Sequence, residues 1–315
     1  MRYQVTGYVL EREPAPAVGA RPVGVAVKEI DEKLYQEIKQ ARDICLLAVV
    51  LEERLQFVLD NYAEWESELL DQAQEHLLWQ TRRSDAMQQR LTLDRRLANV
   101  LTAFRLYVDH TDTSLSDIFG KDSSELDAIK KLKNKLYDDC FGYRFLEALR
   151  NHVQHCGLPV QIVTFHSGFV DGDSKKDIQF SVIPYTSLDI LAADKDFKKA
   201  ILDEIKSIGE KIDLRRPIRE YVSCIVRLHR EVQKVFSKVI IDSKEFYSKA
   251  VEKYSTIDGH TVQHPKLIYR KDSEEVEEEV HLISHFLDRY DVLNRQNLNV
   301  GNNISKSFVS NAIKI

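Results

Sequence analysis

Residues 31–60 have the sequence DEKLYQEIKQARDICLLAVVLEERLQFVLD, and this stretch determines the fold class. Its apolar positions recur at steps of three and four residues, the spacing that lines one face of an α-helix. These positions are Leu34, Ile38, Ala41, Cys45, Ala48, Leu51, Leu55, Val58 and Leu59, of which only the last two are adjacent. Proline, which breaks helices, is absent from residue 23 to residue 158. This half of the chain is therefore predicted to form several long helices.

The composition of the chain also favours helices. Of its 315 residues only 11 are glycine and 7 are proline, so residues that interrupt helices are scarce. Hydrophobic residues make up 43% and charged residues 30%, which excludes collagen-like, low-complexity and wholly disordered proteins. We expect a mainly α protein of the α+β class, a helical bundle with a short N-terminal β arm and a central β-hairpin.

Two parts of the chain have the pattern of β-strands. Residues 2–11 and 22–28 alternate in hydrophobicity around the turn sequence EPAPAVGARP, and VQIVTFHSGFV and DIQFSVIPY flank the polar turn DGDSKK. These patterns divide the chain into four predicted segments. They are a β arm over 1–30, a helical bundle over 31–157, a β-hairpin over 158–190, and a second helical region with a C-terminal tail over 191–315.

Helix boundaries are predicted from caps and breakers. We expect breaks near 110–116 and 121–124, and a stop at Gly157-Leu158-Pro159. After the hairpin, the pattern predicts helices over about 195–212, 217–254 and, in an acidic run, 273–294.

Charge and cysteine content narrow the class of protein. The 45 lysines and arginines against 50 aspartates and glutamates give a net charge of −5, which does not indicate a nucleic-acid binder as a whole but leaves room for local basic clusters. Cys45, Cys140, Cys156 and Cys224 form no C-x-x-C pair, so we expect a reducing, cytoplasmic environment. We expect Cys140 and Cys156 to be small buried side chains rather than nucleophiles. The most apolar run, Ile44–Leu51, is too short to span a membrane, and no membrane partner is expected.

Common cofactor and catalytic motifs are absent from the sequence. It contains no P-loop, G-x-G-x-x-G, H-E-x-x-H or G-x-S-x-G motif, and we expect no cofactor. The pairs His281/His285 and His260/His264 have the i,i+4 spacing that can hold one metal ion on a helix, but no third ligand is evident. We therefore predict no metal site.

One constellation combines residue types that carry chemistry. Arg150-Asn151-His152-Val153-Gln154-His155 forms an R-N-x-x-x-H pattern just before the predicted helix stop. This pattern resembles the signature of the HEPN superfamily, helical-bundle proteins that include many metal-independent ribonucleases. The resemblance covers about twenty residues closely and the helical half of the chain loosely. It implies an endoribonuclease, a hydrolase of the kind that often serves as a toxin or in antiviral defence against phage, regulated by an antitoxin or another partner protein.

The residue types suit RNA cleavage without a metal. A histidine can move protons near neutral pH while the ribose 2′-OH attacks the neighbouring phosphate, and an arginine can hold that phosphate with a planar fork of donors. The resemblance assigns these roles to His155 and Arg150, with Asn151 orienting the substrate or the histidine. It further implies products with a 2′,3′-cyclic phosphate.

A helical wheel separates the two principal side chains. At about 100° per residue, Arg150 and His155 lie about 140° apart, so one regular helix cannot direct both at one phosphate. Either the helix unwinds before Gly157, or a second subunit supplies the missing group. HEPN proteins commonly use the second arrangement, so the resemblance implies a homodimer with a composite active site.

Two other interpretations remain open. Arg150 can pair with an acidic neighbour such as Glu147 while Asn151 and His155 are ordinary surface residues, which would leave a non-catalytic interaction scaffold or an RNA-binding protein. Like an RNA nuclease, the latter needs cations for phosphate. The candidate RNA-binding residues are Lys130, Lys131, Lys133, Lys135, Arg95 and Arg96.

Overall fold

The computed structural model describes residues 1–10, 22–79, 85–169, 178–271, 275–301 and 304. Within these residues the chain forms eight helices and eight strands, and the mainly α, α+β class is confirmed. The helices are α1 (Glu32–Trp79), α2 (Ala86–Phe119), α3 (Ser124–Asp139), α4 (Phe141–His155), α5 (Leu188–Ala193), α6 (Lys199–Ile208), α7 (Arg215–Lys253) and α8 (His285–Leu298). The strands are β1 (Arg2–Leu10), β2 (Pro22–Ile30), β3 (Ile162–Phe169), β4 (Ile178–Ser187), β5 (Lys211–Asp213), β6 (Thr256–Ile257), β7 (His260–Arg270) and β8 (Val276–His281).

The chain divides into two compact units. The sheet unit combines Met1–Glu53 with Gln233–Asn297, and the helical unit combines Arg54–Val232 with Leu298–Ile315. The long helices α1 and α7 each contribute residues to both units. The division of the chain into the four segments given above stays a prediction.

An antiparallel sheet organises the sheet unit. Its strands follow the order β2-β1-β7-β6, and β8 pairs with β7. The N-terminal strands therefore pair as predicted, and β1 also pairs with β7 from the other end of the chain, with Tyr3 opposite Tyr269. Val5, Tyr35 and Tyr247 are fully buried in the core beneath the sheet. The turn residues 11–21 lie outside the described residues.

A buried carboxylate joins three helices of the sheet unit. Glu52 on α1 is 2% exposed. Its carboxylate oxygens accept hydrogen bonds from Gln233 on α7 at 2.8 Å and from Asn297 on α8 at 2.6 Å. Because a buried carboxylate without donors is costly, these amides account for its place in the interior.

Aromatic packing and a close helix contact organise the helical unit. The Tyr221 ring of α7 meets the rings of Phe104 and Tyr143 edge-on, at 4.3 Å and 4.8 Å between centroids. Gly142, at the start of α4, lies against α7 so closely that a Cβ built there would stand 2.6 Å from the Pro217 carbonyl oxygen. Strands β3, β4 and β5 form a small antiparallel sheet, which confirms the predicted hairpin; its turn, residues 170–177, lies outside the described residues.

Three predicted helix boundaries are wrong. Helix α2 runs through the expected break at 110–116, where the Thr111 and Ser114 hydroxyls bond back to carbonyls of their own helix at 2.7 Å and 2.8 Å. The helix expected over 195–212 covers only Lys199–Ile208, because the next residue, Gly209, has a φ of +147° that only glycine readily adopts. The acidic run expected to begin the last helix forms β8 instead, because Lys266 on β7 pairs with Glu279 at 2.8 Å and Val280 is buried.

None of the described helices is long and apolar enough to cross a bilayer.

Substituting Gly142 tests the close contact between α4 and α7. We expect Gly142→Ala to lower the free energy of unfolding by about 1–3 kcal/mol, because the new methyl group would overlap the Pro217 carbonyl and Glu220. Urea unfolding followed by circular dichroism measures the change. Gly24→Ala is the matched control, since a Cβ there meets nothing within 4 Å and the substitution should not be destabilising. Equal effects of the two substitutions would contradict the packing described.

Candidate functional site

The R-N-x-x-x-H pattern lies on the second half of α4. Tyr143, Phe145, Leu146 and Leu149 are buried and form an apolar stripe along one face of this helix. The helix ends at His155, in agreement with the predicted stop. The carbonyl oxygen of His152 closes the last turn by accepting N–H groups from residues 156 and 157 at 2.8 Å and 3.2 Å.

Arg150 is half-buried at the edge of this stripe. Its Nη1 donates a hydrogen bond to Asn151 Oδ1 at 3.0 Å, while its Nε is buried and has no partner in the described part of the chain. The acidic neighbour Glu147 instead accepts from the Tyr221 hydroxyl and lies 3.7 Å from the guanidinium of Arg105. Among the described residues Arg150 has no ion pair, so the pairing with Glu147 that a structural role would use is not formed.

His155 is exposed on the last turn of α4. Its ring makes no hydrogen bond and no ion pair with any residue that the structure describes. Because α4 is regular through residue 155, Arg150 and His155 remain about 140° apart around its axis. The expectation that the helix could unwind before Gly157 is therefore wrong, and one chain does not bring the two side chains together.

His152, between them, is a packing residue. It is 4% exposed, and its Nδ1 lies 2.8 Å from Asp194 Oδ2. Its ring meets the Phe197 ring edge-on at 6.3 Å. The hydrogen bond from His152 lowers the pKa of Asp194 below its usual value, although burial opposes the shift. Nε2 of His152 is buried, and no described residue hydrogen-bonds to it.

One group of side chains has the spacing of metal ligands. Ligand atoms of His152, Cys156 and Asp194 all lie within 4.8 Å of one another. Asp194, however, already accepts hydrogen bonds from both of the others, and its bond with Cys156 raises the pKa of that thiol. The three groups therefore satisfy one another as a hydrogen-bonded cluster.

The two histidine pairs noted in the sequence do not lie on helices. His281 ends β8 and His285 begins α8, while His260 and His264 are both in β7. Residues four apart in a strand are separated by about 13 Å, too far to share one ion. Neither pair therefore lies on one helix, which is the arrangement that would let two histidines four residues apart bind one metal ion.

A buried pair on α2 fixes the chain that leaves α4. Asp94 accepts the N–H of Val160 at 2.7 Å, and Arg90 donates to the Val160 carbonyl at 2.9 Å and to Asp94 at 3.2 Å. Asp94 is 1% exposed, and burial raises its pKa to about 6 against the opposing effects of Val160 and Arg90. This pair anchors the exit from the motif helix, a role that the sequence did not reveal.

The predicted RNA-binding cations fall into two groups. Arg96 pairs with Glu64, Lys133 with Asp112, and Lys131 with Asp127 at 3.4 Å. The other three are exposed and have no ion pair among the described residues; they are Arg95, Lys130 and Lys135. These three retain charges that phosphate groups can use.

The cysteines differ from what the sequence led us to expect: Cys156 is exposed and Cys140 is only half-buried, and two of the thiols meet. Cys140 on the N-terminal side of α4 and Cys224 on α7 hydrogen-bond to each other. The sequence carried no indication of this contact, because the two residues are far apart in the chain and form no motif.

The raised pKa of Asp94 predicts a pH-dependent stability difference. Between about pH 4 and pH 6 the folded state holds a proton that the unfolded state releases, so Asp94 lowers the stability of the fold as the pH rises through this window. Relative to wild type, Asp94→Asn should therefore gain at most about 3 kcal/mol of unfolding free energy between pH 4 and pH 7.

Urea unfolding at a series of pH values measures this difference. The matched control is Asp117→Asn on the same helix, whose carboxylate is exposed. Its difference from wild type should stay nearly constant over the same range. A difference for Asp94→Asn that does not change with pH would show that burial does not raise the pKa of Asp94.

No protein-family model, curated protein or solved structure matches this chain. The resemblance to the HEPN superfamily therefore rests on the R-N-x-x-x-H pattern of Arg150, Asn151 and His155 and on its helical setting.

Proposed function

We propose that this protein is a metal-independent, HEPN-like endoribonuclease whose active site is completed by a second copy of the chain. The observation that carries the proposal is the lack of ion pairs at Arg150 and His155, the first and last residues of the motif, among the described residues. The Arg150 guanidinium is oriented by Asn151, and the His155 ring is exposed at the end of a regular helix. Within the described part of the chain, neither group forms an ion pair that would give it a structural role.

Each side chain has the properties that its proposed role requires. Asn151 limits the orientations of Arg150 at a cost of one donor. Because Nε is buried, the other N–H groups of the two terminal nitrogens are the donors left for phosphate oxygens. His155 can accept the proton of the 2′-OH and return a proton to the leaving 5′ oxygen. The reaction leaves a 2′,3′-cyclic phosphate and a 5′-hydroxyl, and neither proton transfer uses a metal ion.

The requirement for a second copy follows from the regular helix. Since Arg150 and His155 diverge by about 140° on α4, a phosphate held by Arg150 of one copy must meet His155 of another. A twofold axis between two α4 helices would create two such sites from the same surface. The exposed cations Arg95, Lys130 and Lys135 are then available to hold the flanking RNA.

Activity on RNA is the direct test. The purified protein should cleave total RNA or tRNA in the presence of EDTA, and the fragments should end in a 2′,3′-cyclic phosphate. Arg150→Ala and His155→Ala should each reduce the cleavage rate by about 100-fold or more, the usual effect of losing a phosphate clamp or a proton-transfer group. Expression of the wild-type chain should also be more toxic to cells than expression of either variant.

A second arginine and histidine with the same spacing provide a matched control. Arg105 and His110 lie on α2, where His110 is exposed and Arg105 pairs with Asp109 at 2.8 Å. His110→Ala should leave the cleavage rate unchanged. RNA binding that persists in the Arg150 and His155 variants, with no cleavage by wild type, would instead support a non-catalytic RNA-binding protein. No binding and no cleavage would leave the scaffold interpretation.

Mixing two inactive variants tests whether the site is shared. In a dimer of one Arg150→Ala chain and one His155→Ala chain, one composite site has neither mutation and the other has both. Co-expression at equal levels should therefore restore about a quarter of the wild-type activity, because half of the dimers are mixed and each has one intact site. If both groups acted within one chain, the mixture would stay inactive, and the composite site would be excluded.

A further inference from the structure

A cavity of about 630 Å³ lies in the helical unit, between the start of α4 and the middle of α7. Its volume is in the range of small-molecule binding pockets, about 300–1,000 Å³. Neither Arg150 nor His155 lines it, so it is separate from the proposed nuclease site. The polar and reactive groups of its wall are Asp139, Cys140, Glu220, Ser223, Cys224, Arg227 and Arg230.

Two thiols meet in the wall of this cavity. Cys140 is half-buried at the N-terminal end of α4, and Cys224 is buried on α7. Both residues line this cavity, and their side chains hydrogen-bond to each other. In the same wall, the Oγ of Ser223 is buried and has no hydrogen-bond partner among the residues that the structure describes.

We propose that Cys140 and Cys224 form a thiol–disulfide exchange site that reacts with anionic, low-molecular-weight disulfides of the glutathione type. Cys140 is the attacking thiol and Cys224 the resolving one. Arg227 and Arg230 in the same wall suit the carboxylates of such a ligand. This inference stands on the cavity and the thiol pair and does not depend on the nuclease proposal.

The surroundings distinguish the two sulfur atoms. Hydrogen bonding from the Cys224 thiol lowers the pKa of Cys140, burial opposes the shift, and the backbone N–H of Tyr143 adds to it. Cys140 caps both the end of α3 and the start of α4, so the positive end of the α4 macrodipole favours the thiolate while the negative end of α3 opposes it. The pKa of Cys224 is raised, first by its bond with Cys140 and then by burial. Cys140 is thus the better nucleophile, and it is also the more exposed of the two.

The exchange proceeds in two balanced steps. The Cys140 thiolate attacks one sulfur of glutathione disulfide, forming a Cys140–glutathione bond and releasing one glutathione thiolate. Cys224 then loses its proton and attacks the Cys140 sulfur, forming the Cys140–Cys224 bond and releasing the second glutathione. The two protein thiols are oxidised, one disulfide is reduced to two glutathione molecules, and no other oxidant is needed.

Peptide mapping of the full-length protein tests the proposal. The protein is incubated with glutathione disulfide at neutral pH, trapped by alkylation and digested without reduction. The expected product is a disulfide between the peptides of Cys140 and Cys224. The exposed Cys156 is an internal reference, because its bond with Asp194 raises the pKa of its thiol. Cys140 should react at least about tenfold faster than Cys156.

Single substitutions separate the two roles. In Cys224→Ser, Cys140 should accumulate as a stable mixed disulfide with glutathione, because the resolving thiol is missing. In Cys140→Ser, Cys224 should stay unmodified. Cys156→Ser is the matched control and should form the Cys140–Cys224 disulfide at the wild-type rate.

Three results in the wild-type protein would overturn the proposal. They are a Cys140 that remains reduced while Cys156 reacts, a Cys140 that bonds to a cysteine other than Cys224, and a mixed disulfide on Cys140 that persists unresolved. Because these readouts come from the unaltered chain, misfolding of a variant cannot hide them.

Discussion

Leu149 and His152 lie inside the helical unit, 0% and 4% exposed, and their burial fixes the rotation of α4 about its own axis. Since each residue of a helix advances by about 100°, this rotation places Asn151 and His155 in solvent and leaves Arg150 at the border of the core. The close contact of Gly142 with α7 fixes the other end of the helix. It is this packing that brings Cys140 to Cys224. One amphipathic helix therefore positions the groups of both proposals.

Two buried carboxylates support α4, and their environments shift their pKa values in opposite directions. Asp94 receives the N–H of Val160 in an interior site where desolvation dominates, so its pKa rises to about 6. Asp194 receives His152, and this hydrogen bond outweighs burial and lowers its pKa. Both carboxylates therefore have a structural role: Asp94 holds the chain that leaves α4, and Asp194 holds the buried His152. Arg150, by contrast, contacts Asn151, and His155 is exposed to solvent.

Local periodicity was sufficient to predict most helices, and it failed where a distant strand decided the outcome. The stripe from Leu34 onward and the stop at Gly157 follow from local spacing and caps, and both are present in the structure. The acidic run before His281 has the composition of a solvated helix. It forms β8 because β7 offers backbone partners and Lys266 offers a cation to Glu279, and neither influence can be read from the run itself.

The sequence by itself determined the mainly α class, the helix that carries Arg150, Asn151 and His155, and the divergence of the outer two around that helix, because helical geometry depends only on local spacing. Only the tertiary structure decided that Arg150 lacks an acidic partner among the described residues, that Asp94 holds Val160, and that Cys140 meets Cys224. Those contacts join residues far apart in the chain. They form when helices pack, and packing depends on the shapes of all the surfaces that meet rather than on any one segment.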